Sequence, residues 1–377
     1  MNFREFDSVK KRREAIEKEF GLSLKHIAHH SMDEEDSGKK SIENMIGCAQ
    51  LPMGVAGPLK VNGKEYVVPL ATTEGALVAS VSRGCKTLNL SGGVTSTIMD
   101  YRMTRAPVFK CDNAVKAKET ADWVQEHFDE LKALMEEESP FLRLERIRPW
   151  IVGRNLFLRF ECWTGDAMGM NMITIGIESA CKRIESTGAR WIATSGNMCI
   201  DKKPSALNLI SGRGRRVIAE CVLKEKAIAD VLKTTPDNMI DVNYRKNLVG
   251  SAQAGSYGFN AHFANIVAAF YIATGQDPAQ VVSGSMGFTL AEKQDNDLHL
   301  SVTVPCLKVA TVGGGTQRET QGEALSILGL KGGGNPSGSN GDRLAEILAG
   351  AILAGEASLL SALSSRHLGK AHSELGR

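Results

Sequence analysis

The run HFANIVAAFYIATG, residues 262 to 275, limits the folding of this chain more than any other segment. Helical spacing spreads its apolar side chains around the whole circumference, and a helix without a polar face has to be enclosed by protein on every side. A large domain must surround it. The 377 residues allow that and more, because single cores seldom exceed about 250 to 300 residues, so at least two cores are expected. A hydrophobic fraction of 42% and a charged fraction of 23% point to a globular chain rather than a disordered one. The formal net charge is only +2 and the lysines and arginines are dispersed, which gives no electrostatic basis for binding nucleic acid or an anionic membrane. A small-molecule partner is expected.

The cysteines (Cys48, Cys85, Cys111, Cys162, Cys181, Cys199, Cys221, Cys306) include no Cys-x-x-Cys pair, which fits reduced cytoplasmic thiols better than a disulfide framework or a metal site. The opening MNFREFDSVKKRREAIEKEF is too charged for a signal peptide, and no uninterrupted apolar run reaches the length of about 18 residues that a membrane span needs. A soluble protein without metal is the expectation.

Residues 8 to 20 read as a charged helix, EYVVPLAT as a strand, and Glu74 to about Leu88 as a buried helix. Residues 107 to 193 alternate in type: PVFKC is a strand, the segment from Asn113 to Glu138 a long helix, LERIRPWIV and NLFLRFECW strands, MNMITIGIESACKRIEST a helix and RWIATSG a strand. That β-α-β-β-α-β order is the split pattern of a ferredoxin-like module. Residues 206 to 234 read as helical, LHLSVTVPCLKVATV as strand, and 342 to 364 as a helix pair. The fold class is thus α+β. A helical segment (1–45) would precede a large domain (46–106 with 194–377) around a long buried central helix, interrupted by an inserted ferredoxin-like domain (107–193).

No G-x-G-x-x-G follows a strand, so a nicotinamide cofactor would need another fold. Two glycine-rich loops, GDAMGMNM (165–172) and TVGGGTQ (311–317), either turn tightly or offer backbone amides to a pyrophosphate. In SGNMCIDKKPSALN (195–208) two adjacent lysines repel each other, which suits either a solvated surface or a shaped loop. Gly196, Pro204 and the apolar Met198, Cys199 and Ile200 favour the loop. Asp-Lys-Lys supplies an acceptor, a cation for an anionic substrate, and a second cation where charge develops during carbonyl reduction. Glu74 either complements a helix dipole or, desolvated, donates a proton. Asp277 reads as a turn residue before proline, His262 as a satisfied core histidine, and His372 falls near the chain end.

Taken together, the ordered motifs resemble class I 3-hydroxy-3-methylglutaryl-CoA (HMG-CoA) reductases. They are ENMIG (43–47), ATTEGALVAS (71–80), RGCK (83–86), DAMGMNM (166–172), SGNMCIDKKP (195–204), GRGRRV (212–217), KNLVGSA (246–252), NAHFANIV (260–267), GQD (275–277), TVGGGT (311–316) and HLGKAH (367–372). The resemblance implies reduction of HMG-CoA to mevalonate and free CoA by two equivalents of NADPH, in a homodimer or dimer-based tetramer with active sites between subunits. It assigns Lys202 to the developing oxyanion, Asp277 to holding Lys202, His372 to protonating the CoA thiolate and Glu74 to protonating the mevaldehyde oxygen. Arg105, Ser195, Asp201, Lys203, Lys246 and Asn265 would hold the HMG group, and Ser80, Arg83 and Lys233 would lie near CoA. Ser139, Asp166, Gly169, Met170, Asn171, Gly313 and Gly314 would line the cofactor site, and a cis peptide bond would join Cys199 and Ile200.

Pro140 departs from the family pattern, which commonly has arginine after the serine to grip the 2′-phosphate of NADP(H). NADH therefore stands as an alternative unless Arg143, Arg146 or Arg148 substitutes. Two other functions compete: mevalonate oxidation in the reverse direction, and a non-catalytic acyl-CoA sensor. The second would require a degraded site, whereas Glu74, Lys202, Asp277 and His372 are all present.

Overall fold

A computed structural model of the chain describes residues 3 to 365. Their strands are β1 (Met53–Val61), β2 (Lys64–Ala71), β3 (Thr95–Arg105), β4 (Val108–Lys110), β5 (Arg143–Val152), β6 (Asn155–Trp163), β7 (Arg190–Ala193), β8 (Gly214–Leu223), β9 (Gly258–Phe259), β10 (Gly287–Gln294) and β11 (Asp297–Leu307). β1 and β2 form an antiparallel hairpin, and the rest make one sheet in the order β7-β4-β6-β3-β8-β11-β10-β9, with β5 on the free side of β6. β3 links the two halves of this sheet. Its stretch from Thr95 to Arg102 pairs with β8, and Met103 to Arg105 pair with β6.

Two core clusters follow the same division. One gathers buried residues from Met103 to Ala189, between β4–β6 and helices Ala114–Glu126, Phe128–Glu136 and Met170–Glu185. The other packs β1, β2, β8 and β11 around helices Leu77–Leu90, Phe263–Thr274 and Ser339–Ser364. Phe263, Ile266, Val267, Phe270 and Tyr271 are all fully enclosed, and each large apolar side chain so buried contributes about 1.5–3 kcal/mol.

The helix Phe263–Thr274 starts and stops for identifiable reasons. Asn260 Oδ1 accepts from Phe263 N at 3.1 Å, and the buried Glu356 carboxylate accepts from the amides of Ala261 and His262, each at 2.8 Å. Such acceptors satisfy donors that a helix start leaves free. Gly275 ends the helix at φ 72°, where a Cβ would stand 2.3 Å from Gly315 O, so only glycine fits. The close approach brings the TVGGGT loop against the helix end, just before Asp277.

Three expectations need correction. Residues 206–234 are not all helical, because Gly214–Leu223 is β8, with Val217, Ala219, Cys221 and Leu223 alternately buried. Residues 342–364 form one helix, Ser339–Ser364, rather than a pair. The helix expected from Asn113 to Glu138 is broken at His127. Ser339–Ser364 is long and apolar enough to cross a membrane, yet 83% of its most apolar window is buried inside the protein, as in a core helix.

Candidate active site

The Asp-Lys-Lys loop is built on a constrained backbone. Asn197, Ile200 and Lys202 have φ of 64°, 48° and 56°, in the left-handed region that side chains normally avoid. Two buried neighbours hold them there. Arg159 donates to Met198 O at 2.8 Å and to Gly212 O at 2.9 Å, while Asn208 Nδ2 donates to Ile200 O at 3.0 Å. The cis peptide bonds among the described residues are Gly57–Pro58 and Asn335–Pro336, so the cis bond expected at Cys199–Ile200 is absent; the left-handed residues turn the chain instead.

This backbone presents Lys202 to Asp277. Nζ of Lys202 stands 2.8 Å from Asp277 Oδ2, with the lysine side chain 45% exposed. Asp277 is also the turn residue expected before Pro278, since Oδ1 accepts from Ala279 N at 3.1 Å. One carboxylate therefore caps the turn and holds the lysine.

Asp201 faces the other way, into a cationic shell. Its Oδ1 accepts from Arg213 Nη1 at 2.7 Å and from Gln280 Nε2 at 2.9 Å, and Oδ2 lies 3.9 Å from Arg105 Nη1. Burial would raise its pKa, but the Arg213 charge, the two hydrogen bonds and Lys308 hold it below the usual carboxylate value. Ser195 Oγ is 3.3 Å from Cys199 Sγ within the loop, and Lys203 is exposed, donating to the Asp201 carbonyl at 3.3 Å.

A second group forms at the opposite end of the buried helix. Asn265 Nδ2 donates to Glu74 Oε1 at 3.2 Å, and Lys246 Nζ lies 3.4 Å from Ala261 O. Glu74 does not open a helix: it is exposed in a bend, and the helix begins at Leu77. A rise of about 1.5 Å per residue puts about 13 Å between Asn265 and the helix's last residue, Thr274. Within one chain, Glu74, Lys246 and Asn265 are thus separated from Lys202 and Asp277.

Residues expected near CoA converge on the end of the C-terminal helix. Ser80 Oγ is 2.8 Å from Ser358 Oγ, Arg83 donates to Ser358 O at 2.8 Å, and Thr234, beside the exposed Lys233, bonds to Ser364 at 2.7 Å. His372 lies outside the described residues.

The glycine loops are knit together by Asp166. Its carboxylate accepts from the amides of Gly334, Gly338 and Gly341 at 2.8–2.9 Å, and its carbonyl accepts from Thr311 N at 2.9 Å. Asp166 thus braces these loops from within. Gly169, at φ 78°, has no room for a Cβ, which would meet Thr164 Cγ2 at 2.3 Å. It starts Met170–Glu185, a helix whose first amides carry no side-chain cap, with Asn171 exposed there. Gly313 and Gly314 border open space. Ser139 accepts from Phe141 N at 3.2 Å in the turn before β5, with Pro140 exposed. Arg146 and Arg148 both pair with the buried Glu161 at 2.6 Å, and Arg143 and Arg146 are exposed.

Sequence reasoning gave no role to Arg159, Arg213, Arg215, Gln280 or Lys308. All five are buried, and the three arginines act as cross-links: Arg213, for example, reaches Thr104 and Met170 Sδ besides Asp201. GRGRRV pointed at Arg213 and Arg215 as a motif but not at their partners.

The chain matches known proteins over almost its whole length. The family described as hydroxymethylglutaryl-coenzyme A reductase matches residues 8–377. The 3-hydroxy-3-methylglutaryl-coenzyme A reductase of Pyrococcus abyssi is 55% identical over 374 residues, covering 97% of this chain and 92% of that protein. The enzyme of the same name from Methanocaldococcus jannaschii is 51% identical over 377 residues, covering 97% and 92%. Among solved structures, the class II enzyme of Streptococcus pneumoniae bound to NADPH has a TM-score of 0.73 at 20% identity, covering 96% of this chain and 98% of that one. The fold is therefore the mixed α/β fold of those structures, and a match that runs through every segment carrying the Lys202–Asp277 pair places this chain in the hydroxymethylglutaryl-coenzyme A reductase family.

Proposed function

We infer that this chain reduces HMG-CoA to mevalonate and free CoA. The observation that carries the reading is the Lys202–Asp277 pair, fixed at 2.8 Å on a strained loop and flanked by Asp201 in its cationic shell. Residues 107–193 act in this reading as an inserted ferredoxin-like domain for NADPH, supported by the separate core cluster and the β-α-β-β-α-β order. The uncapped start of Met170–Glu185 and the open space beside Gly313 and Gly314 suit the pyrophosphate of such a cofactor, with Gly169, Met170 and Asn171 beside it. When bound, the nicotinamide supplies hydride, two equivalents per substrate.

The chain's own residues manage charge and protons. Lys202 holds its ammonium at the carbonyl oxygen, first of the thioester and then of the aldehyde, as each becomes an oxyanion. Asp277 keeps that ammonium aimed. As the C–S bond breaks, His372 gives a proton to the departing CoA sulfur. Glu74 gives a proton to the mevaldehyde oxygen, which becomes the alcohol of mevalonate. Arg105, Ser195, Asp201 and Lys203, with Lys246 and Asn265, hold the carboxylate and hydroxyl of the HMG group.

Glu74 and Lys202 stand at opposite ends of one helix, so in this reading each site joins Lys202 and Asp277 of one subunit to Glu74, Lys246 and Asn265 of another. Ser80, Arg83 and Lys233 gather at the root of the segment carrying His372, which suits CoA arriving there. The test is NADPH oxidation that begins only on adding HMG-CoA; a Lys202→Ala protein with normal turnover would overturn the assigned roles.

A further inference from the structure

Lys308 follows β11 directly and is 2% exposed. Its backbone amide donates to Tyr271 Oη at 3.1 Å, which fixes the chain here against the buried helix. Among the described residues its ammonium has only neutral partners: Ser283 Oγ at 2.5 Å and Cys306 O at 3.4 Å. A buried cation without a carboxylate in contact is costly, so its position calls for a reason beyond packing.

The reason lies in the stretch after Asp277. Pro278–Gln280 is a 3₁₀ turn and Val281–Gly284 a further helical turn, so Asp277, Gln280 and Ser283, spaced three apart, fall on one face. Each holds a different site group: Asp277 the ammonium of Lys202, Gln280 the carboxylate of Asp201, and Ser283 the ammonium of Lys308. Among the described residues the Gln280 Oε1 atom is buried without a partner, so this face holds one acceptor more than its donors use. The charges acting on Lys308 are Asp201 from the Asp-Lys-Lys loop, Asp277 from the turn, and Arg213 ahead of β8, with the Cys306 thiol and the Tyr271 phenol as its titratable neighbours.

Building on the reductase reading above, we propose that Lys308 is a positioning residue whose charge, applied from behind Asp201 and Asp277, sets how strongly these carboxylates hold the substrate and Lys202. As a cation it draws on the negative potential of both carboxylates, leaving Lys202 freer to meet an oxyanion. Without its proton, Asp277 holds Lys202 alone and turnover slows. Burial lowers the pKa of Lys308 to about 7, against the pull of Asp201 and Asp277, so the change falls within the working range of pH.

The test compares wild type, Lys308→Met and Ser283→Ala as full-length proteins, following HMG-CoA-dependent NADPH oxidation from about pH 5.5 to 9. Wild-type kcat is expected to fall as pH rises through an ionisation near 7. Lys308→Met should lack that ionisation and show about tenfold lower kcat at low pH, with KM for HMG-CoA changed by less than about threefold. Ser283→Ala removes an acceptor from the ammonium, so its ionisation should move to lower pH, and it carries the test if Lys308→Met does not fold. Lysine ¹³Cε NMR reads the ionisation independently: one signal titrating near neutrality, missing in Lys308→Met and shifted in Ser283→Ala. Folded variants with the wild-type pH profile overturn the proposal, as does a spectrum with no such lysine. A wild-type protein inert toward HMG-CoA overturns the reductase reading instead, and the NMR titration still decides whether Lys308 ionises.

Discussion

Arg213 donates from Nη1 to Oδ1 of Asp201 at 2.7 Å while exposing none of its own surface. Removing one partner of a buried pair leaves the other's charge uncompensated, at a cost of about 3–5 kcal/mol. Asp201 keeps some exposure and the Gln280 bond, so Arg213→Met should lose about 3 kcal/mol in denaturant unfolding at neutral pH, the lower end of that range. Because the folded pKa of Asp201 lies below its unfolded value of about 3.9, its stabilising contribution is present above that pH and lost as pH falls through the folded value. Wild type should therefore lose stability below about pH 4 more steeply than Arg213→Met; parallel acid curves would contradict the pairing.

Lys202 and Asp277 are partly exposed, so their replacement should affect rate more than fold. Lys202→Ala and Asp277→Asn should each lower kcat by about 10²–10³, as loss of one charge-stabilising donor does. Melting temperatures close to wild type would separate this from unfolding.

The division of the site between the two ends of one helix makes a complementation prediction. Lys202→Ala and Glu74→Gln should each be nearly inactive, whereas their co-expressed mixture should regain up to about a quarter of wild-type activity in a dimer, through hybrids with one intact site. A mixture no more active than its components would place both groups in the site of a single chain.

Arg146 and Arg148 each share their charge with Glu161, and Pro140 stands exposed in the turn before β5, which makes it the position to alter for cofactor choice. Pro140→Arg should raise the ratio of kcat/KM for NADPH over NADH by about tenfold, the effect of one charge-assisted contact to a phosphate. Steady-state rates with each cofactor give the ratio directly, and an unchanged ratio would mean that the turn before β5 does not face the 2′-phosphate.

Local pattern carried much of the fold. β5, β6 and Met170–Glu185 follow from alternation and helical spacing, and the closed Asp-Lys-Lys loop from its glycine, proline and apolar flanks. β8 was misread because GRRVIAECVL contains good helix formers, although its alternate residues are those buried. The C-terminal helix hides its continuity in glycines: Gly350 and Gly355 look like breaks, but a Cβ there would press on Val61 and Ile266, so they mark close packing. Lys308 was illegible for a different reason. It sits in a strand-like run, and only contacts with Ser283 and Tyr271, distant in sequence, show that its ammonium is enclosed. The separation of Glu74 from Lys202 likewise required the length and direction of the buried helix.

The left-handed backbone at Asn197, Ile200 and Lys202 has a consequence for the timing of catalysis. Each such residue costs about 1–2 kcal/mol relative to ordinary backbone, and a branched side chain such as Ile200 tolerates it least. The fold carries that cost before any thioester arrives. In the proposed reaction, ordering of this loop then forms no part of the cycle, because the ammonium of Lys202 already stands beside Asp277 when the thioester arrives.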